Sequence, residues 1–172
     1  NLKDFLEVYE PINFQYWKLY REDRIDKESL RYKRLSDTFN TLNFEIKSNI
    51  INKLSVDYID HLCTFNHLFD GTTEILEYLA PKYELHIITN GFIKTQAPKL
   101  ESNYLGTFFK EVITSDCGYN KPDERVFHYA FDKANCKPQE ALMIGDSLEA
   151  DIHGAKNVGM DQMFFNPKER KH

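Results

Sequence analysis

From Asn1 to about Phe69 apolar residues recur at helical spacing, with Ile46, Ile50, Leu54, Ile59, Leu62 and Phe65 the clearest run. No segment here needs to be a strand. Pro11 is the main interruption, and it is expected to separate a short first helix from an aromatic one carrying Phe14, Trp17 and Tyr20. The stretch reads as a small helical bundle. Aromatic residues at such spacing, here Tyr9, Phe14, Tyr16, Trp17 and Tyr20, more often form a bundle's own core than a stacking platform for a ligand.

After Asp70-Gly71 the pattern changes to short apolar runs alternating with helical stretches. Strands are expected at Leu85 to Thr89, Val112 to Ser115, Leu142 to Gly145 and Met163 to Phe165. Connections of roughly 20 to 25 residues that contain a helix are what parallel strands require. The chain therefore reads as helical over 1–69 and as a doubly wound, mostly parallel α/β unit over 70–172. In such sheets ligands gather beyond the carboxyl ends of the strands, so the residues just after each apolar run are where chemistry is sought.

Charge narrows the partners. A formal net charge of -5 argues against a reader of phosphate backbones, which needs clustered Lys and Arg. The basic group Arg31, Lys33 and Arg34 is interleaved with Glu28 and Asp37 and is expected to be a solvated helix face. Three cysteines, Cys63, Cys117 and Cys136, show no metal-type pairing and suggest no disulfide framework. Neither a membrane-spanning run of ~18 apolar residues nor a secretory leader is present, which points to a cytoplasmic protein. The terminal Arg170-Lys171-His172 reads as a polar tail without bearing on chemistry.

Three strand ends carry candidate chemistry. His86 to Gly91 ends in Thr89-Asn90-Gly91, a hydroxyl, an amide and a glycine able to hold phosphate oxygens, although alone it would pass for a turn. Val112 to Ser115 leads to Lys121-Pro122, a lysine ahead of an expected proline-started helix. Leu142 to Gly145 breaks into Asp146-Ser147 and then Asp151. Carboxylates suit Mg²⁺, a hard cation that takes oxygen ligands, while their ordinary role at such a position is to cap a helix.

In this order the motifs closely resemble those of the haloacid dehalogenase (HAD) superfamily. Thr89 and Asn90 match its second motif, Lys121 its third, and Asp146 with Asp151 its fourth, while residues 1–69 look like the helical cap inserted between the first and second motifs. The resemblance implies a HAD-like core with an α-helical cap and an aspartyl-phosphate mechanism with Mg²⁺ as cofactor. Thr89, Asn90 and Gly91 would bind phosphate, Lys121 would steady the phosphoryl charge, Asp146 would ligate Mg²⁺, and Asp151 would support the metal directly or through water. The first motif, Asp-x-Asp-x-Thr after an apolar strand, is missing. Asp57-Tyr58-Ile59-Asp60 has the wrong spacing and lies in a helical pattern. The nucleophile and general acid are thus expected in a segment outside these 172 residues, without which the chain should fold poorly and be inactive.

A helical cap suits small phosphorylated metabolites, and the segments around Lys121 and Asp146 look most like those of pyrimidine 5'-nucleotidases, so a nucleoside monophosphate is the expected substrate. The alternatives are a non-catalytic phosphate- or metal-binding relative and, with less support, a 2-haloacid dehalogenase, a phosphonatase or a sugar-phosphate mutase. Gly145-Asp146-Ser147 argues against the dehalogenase, which needs no Mg²⁺. No cap lysine among Lys3, Lys18, Lys27 and Lys33 stands out for the others.

Overall fold

The computed structural model describes residues 1–167 and 169, so the expected tail at Arg170 to His172 lies outside the described residues. The chain divides into two compact units, Asn1–Phe65 and Asn66–His172.

The first unit is three helices, α1 (Leu2–Arg21), α2 (Lys27–Thr41) and α3 (Ser48–Leu62). Asn1 and Asp4 form a capping box at the start of α1, and the Asp26 carboxylate accepts from Ser29 N at 2.7 Å to start α2. Pro11 does not divide two helices but lies inside α1. An interior proline costs ~3 kcal/mol; the cap and the packing of α1 against α2 offset it. Tyr9, Leu35 and Ile51 form the core, flanked by Phe5, Tyr32, Phe39 and Ile46. Of the aromatic group only Tyr9 is buried, while Phe14 is exposed, with the Arg21 guanidinium 6.0 Å from its ring centroid. On α3 the inward positions are Ile51 and Ser55, so Ile50 and Leu54 from the expected stripe face solvent within this unit.

Arg34 corrects another expectation. Rather than joining a solvated basic face, it is 3% exposed, with Nη1 donating to Asn13 Oδ1 at 2.9 Å and the guanidinium 4.8 Å from the Tyr58 ring centroid. A planar, weakly hydrated guanidinium stacks on aromatic faces in a way that an ammonium does not. Lys33 beside it stays exposed.

The second unit alternates helices and strands: α4 (Thr72–Leu79), β1 (Leu85–Ile88), α5 (Ile93–Ser102), β2 (Phe109–Ile113), α6 (Glu124–Ala134), β3 (Leu142–Gly145), a π-helical turn (Leu148–His153), α7 (Gly154–Asn157) and β4 (Asp161–Phe164). β2 and β4 begin earlier than their apolar cores suggest, because Phe109 pairs with Leu85 and Asp161 with Leu142 across the ladders. Both ladders are parallel, and among the described residues they form two separate pairs, β1 with β2 and β3 with β4.

One core serves both pairs. Val126, Phe127, Ala130 and Phe131 from α6 pack with Ile113 of β2, Met143 of β3, Ala155 of α7 and Met160. Gly154 is small because a Cβ there would fall 2.7 Å from the Phe127 ring and 3.2 Å from Pro122 Cα. That close approach places the start of α7 against the turn that carries Lys121. Alternate residues Leu142, Ile144 and Met163 of β3 and β4 remain exposed. Among the described residues no disulfide joins Cys63, Cys117 and Cys136, and no helix is long and apolar enough to cross a membrane.

Candidate active site

β1 ends at Ile88, and the ladder continues one bond further as Thr89 N donates to Ile113 O at 2.8 Å. The chain then turns. Gly91 N donates to Thr89 Oγ1 at 3.0 Å, and Ser115 N, just past β2, donates to Gly91 O at 3.2 Å. The Thr89 hydroxyl therefore accepts within its own turn and still has a proton to donate. The Gly91 amide is committed to that turn. A side chain at Gly91 would meet the Gln96 carboxamide, since a Cβ would lie 2.2 Å from its Nε2.

The connection from β2 to α6 brings Lys121 back to this turn. Asp116 holds the connection down by accepting from Ile93 N, the first residue of α5, at 2.7 Å and from Thr114 Oγ1 at 3.1 Å. Pro122 does not start α6: Asp123 is the cap, accepting from Arg125 N at 2.9 Å, and Pro122 belongs to the turn before it. Asp123 also pairs with the Arg125 guanidinium, and these hydrogen bonds hold its carboxyl below the usual carboxylate range.

Lys121 is 8% exposed. Its ammonium donates to Ile88 O at 2.6 Å and lies 2.6 Å from Asp151 Oδ1. An ammonium has three protons; with two directions engaged, one remains for a further acceptor.

β3 delivers the aspartates. Asp146 follows Gly145 directly, and its side chain is exposed. Asp151 sits in the π-helical turn and is 4% exposed. The turn begins where Ser147 O accepts from both Asp151 N at 2.9 Å and Ile152 N at 3.2 Å, while Ser147 Oγ caps Ala150 N at 3.1 Å. This aims the Asp151 carboxylate back at the strand, where Oδ2 accepts from Ser147 N at 3.0 Å and Oδ1 meets Lys121. The two aspartates thus differ in kind: Asp146 is open, while Asp151 is the buried counter-charge of Lys121.

Of the six residues expected at the site, Thr89, Asn90 and Gly91 follow β1, Asp146 and Asp151 follow β3, and Lys121 comes from the β2–α6 connection and is tied to both groups through Asn90, Ile88 O and Asp151. The Asn90 side chain points at the backbone of Lys121 rather than outward, with Oδ1 accepting from Lys121 N at 2.7 Å and Nδ2 donating to Lys121 O at 2.8 Å. Sequence reasoning passed over Asp116 and the Ile88 carbonyl. A carboxylate just past a strand was a usable signal for Asp116, whereas a backbone carbonyl leaves none.

For a divalent cation the donor chemistry fits in part. Among the described residues no group of three His, Cys, Asp or Glu side chains converges as a metal cage. Mg²⁺ does not require one, since it binds through one or two carboxylates, several waters and substrate phosphate. Asp146 offers such a carboxylate.

Residues 9–165 match the family model for haloacid dehalogenase-like hydrolases, and the chain belongs to that family. It is 30% identical over 166 residues to the HAD-hydrolase YfnB of Bacillus subtilis, covering 95% of this chain and 69% of that protein. The crystal structure of magnesium-bound YfnB superimposes with a TM-score of 0.89 over 97% of this chain and 74% of that one, at 29% identity. The chain is also 29% identical over 171 residues to the Escherichia coli pyrimidine 5'-nucleotidase YjjG, covering 98% of this chain and 73% of the relative. It is 33% identical over 162 residues to a glyceraldehyde 3-phosphate phosphatase of Methanothermobacter thermautotrophicus, covering 91% and 72%. The HAD-like α/β fold with a helical cap follows from these likenesses.

Proposed function

We propose that this chain carries the phosphate- and metal-binding part of a Mg²⁺-dependent phosphatase of small phosphate monoesters, with nucleoside 5'-monophosphates the first substrates to test. The observation that carries the reading is Lys121: a buried ammonium anchored on Asp151 and on Ile88 O, the carbonyl just before Thr89, with a proton left to donate. A lysine serving only the fold would not need to present a charge at the strand ends where the Thr89 turn and Asp146 also stand.

In this reading the Thr89 hydroxyl and the free Lys121 proton hold phosphoryl oxygens, and Lys121 offsets their charge in a site of low dielectric. Asp151 keeps Lys121 charged and aimed. Asp146 would hold Mg²⁺, which when bound neutralises further phosphoryl charge. The attacking carboxylate and the proton donor to the leaving group are assigned to an Asp-x-Asp segment that these residues do not contain, acting through an aspartyl-phosphate. The helical unit Asn1–Phe65 would be the cap of this family, an element that suits small substrates. Relatives named for a pyrimidine nucleotide and for glyceraldehyde 3-phosphate support the monoester class and leave two substrate families to compare.

The test is phosphate release by the intact gene product from a panel of nucleoside monophosphates and sugar phosphates, with and without Mg²⁺, beside Asp146→Ala. Release that needs both Mg²⁺ and Asp146 carries the proposal and ranks the substrates. Binding of Mg²⁺ and phosphate without release on any substrate would replace it with a non-catalytic binding protein.

A further inference from the structure

Lys121 belongs by sequence to the β2–α6 connection, yet its fastenings lie on β1. Its ammonium is on Ile88 O at 2.6 Å, and both of its backbone polar groups are on one side chain, with Lys121 N donating to Asn90 Oδ1 at 2.7 Å and Lys121 O accepting from Asn90 Nδ2 at 2.8 Å. The carboxamide can sit only one way round here, because the amide needs an acceptor and the carbonyl needs a donor. Asn90 is thereby engaged at both ends of its carboxamide: its oxygen and one of its two N–H groups face the lysine backbone.

We propose that Asn90 is a positioning residue, whose carboxamide clamps the peptide groups of Lys121 to the end of β1 and so fixes where the Lys121 ammonium stands over the site. The inference rests on the phosphatase reading above, in which Lys121 meets the phosphoryl group, and it changes the part expected of Asn90 from touching phosphate to holding the residue that does. Three features favour the clamp. Both bonds join positions 31 residues apart, so they tie two separately folded segments rather than shape one turn. The neighbouring Asn120 and Lys121 are buried, where an unmade backbone hydrogen bond is costly. The lysine stem is long and flexible, so a fixed backbone together with Ile88 O and Asp151 leaves the ammonium one position.

A side chain that positions another and one that binds substrate behave differently when removed. Misplacing a catalytic group by about 1 Å costs on the order of 100-fold in rate. Asn90→Ala in the intact protein should therefore lower kcat for p-nitrophenyl phosphate by roughly 10- to 100-fold and leave KM within about twofold. Combined with Lys121→Met it should cost nothing beyond Lys121→Met alone, since its effect passes through the lysine. Multiplying losses, or a raised KM with kcat kept, would overturn the clamp and return Asn90 to direct substrate contact. Hydrogen exchange at the Lys121 amide is the second measurement, independent of turnover and of whether Lys121→Met folds. Exchange should speed up in Asn90→Ala while amides of α6 keep their protection, and an unchanged Lys121 amide sinks the proposal. An intact wild-type protein without turnover would remove the phosphatase reading, leaving the exchange result to decide the clamp.

Discussion

The carboxylate of Asp151 occupies the space that a side chain on Gly145 would fill: a Cβ built there falls 2.3 Å from Asp151 Oδ2 and 2.5 Å from Cγ. The glycine that ends β3 is required by this contact. Gly145→Ala must push the carboxylate away, and with it the contacts to Ser147 N and Lys121. Overpacking typically costs ~1–3 kcal/mol. Gly145→Ala is expected to lose at least that much in urea unfolding and to lower any phosphatase rate as well. Wild-type stability in the variant would mean that the carboxylate relaxes freely and is not locked where the structure places it.

The Lys121–Asp151 pair predicts an asymmetry between single and double replacement. Both side chains are about nine-tenths or more removed from solvent, so either charge left alone is buried without its counterpart. Breaking such a pair from one side costs ~3–5 kcal/mol, while exchanging both for apolar residues is often neutral. Asp151→Ala should therefore unfold at markedly lower urea than the wild type, and Lys121→Met with Asp151→Leu should recover most of the loss while remaining inactive. A double variant as unstable as the two losses added together would show that the pair is not an isolated electrostatic unit.

Asp146 predicts the reverse profile. Its side chain is exposed at the end of β3. Asp146→Ala should leave stability without Mg²⁺ within about 0.5 kcal/mol of the wild type. Added Mg²⁺ should raise the melting temperature of the wild-type intact protein only, since a ligand at 100 times its Kd stabilises by ~2.7 kcal/mol. Thermal scans of both proteins with and without Mg²⁺ check this; equal Mg²⁺ responses would place the cation elsewhere.

The same residues show how much could be read from the chain. Thr89, Lys121, Asp146 and Asp151 could be singled out as candidates because they lie in the segments that follow short apolar runs, where parallel sheets gather ligands, and because their order resembles the motifs of one superfamily. What could not be read was which way each side chain turns once there. Asn90 and Asp151 look like outward-facing ligands in sequence, and only the π-helical turn after Ser147 and the return of Lys121 to β1 make them inward-facing fasteners. In the helical half, Pro11 and Arg34 misled for a related reason. Propensity and charge pattern describe a helix by itself, and the packing of α1 on α2 and of Arg34 on Tyr58 overrides both.

Tyr16 supplies a pH-dependent prediction for the helical unit. Its hydroxyl donates to Asp37 Oδ2, tying α1 to α2. Burial first, and then the hydrogen bond to the Asp37 carboxylate and its negative charge, push the phenol up to about 12 from its ordinary 10.0. The folded protein thus binds this proton more tightly than the unfolded chain does. The stabilisation is fully present below pH 10, the unfolded value, and is lost as pH rises towards about 12. Burial raises Tyr9 in the same direction, so the wild-type curve alone does not isolate Tyr16. The difference between wild type and Tyr16→Phe does. It should be about 1 kcal/mol at neutral pH, the ordinary worth of one hydrogen bond, and shrink as pH is raised through that window. A difference that stays constant across alkaline pH would show that folding does not raise the Tyr16 phenol, and that neither burial nor the Asp37 carboxylate holds its proton.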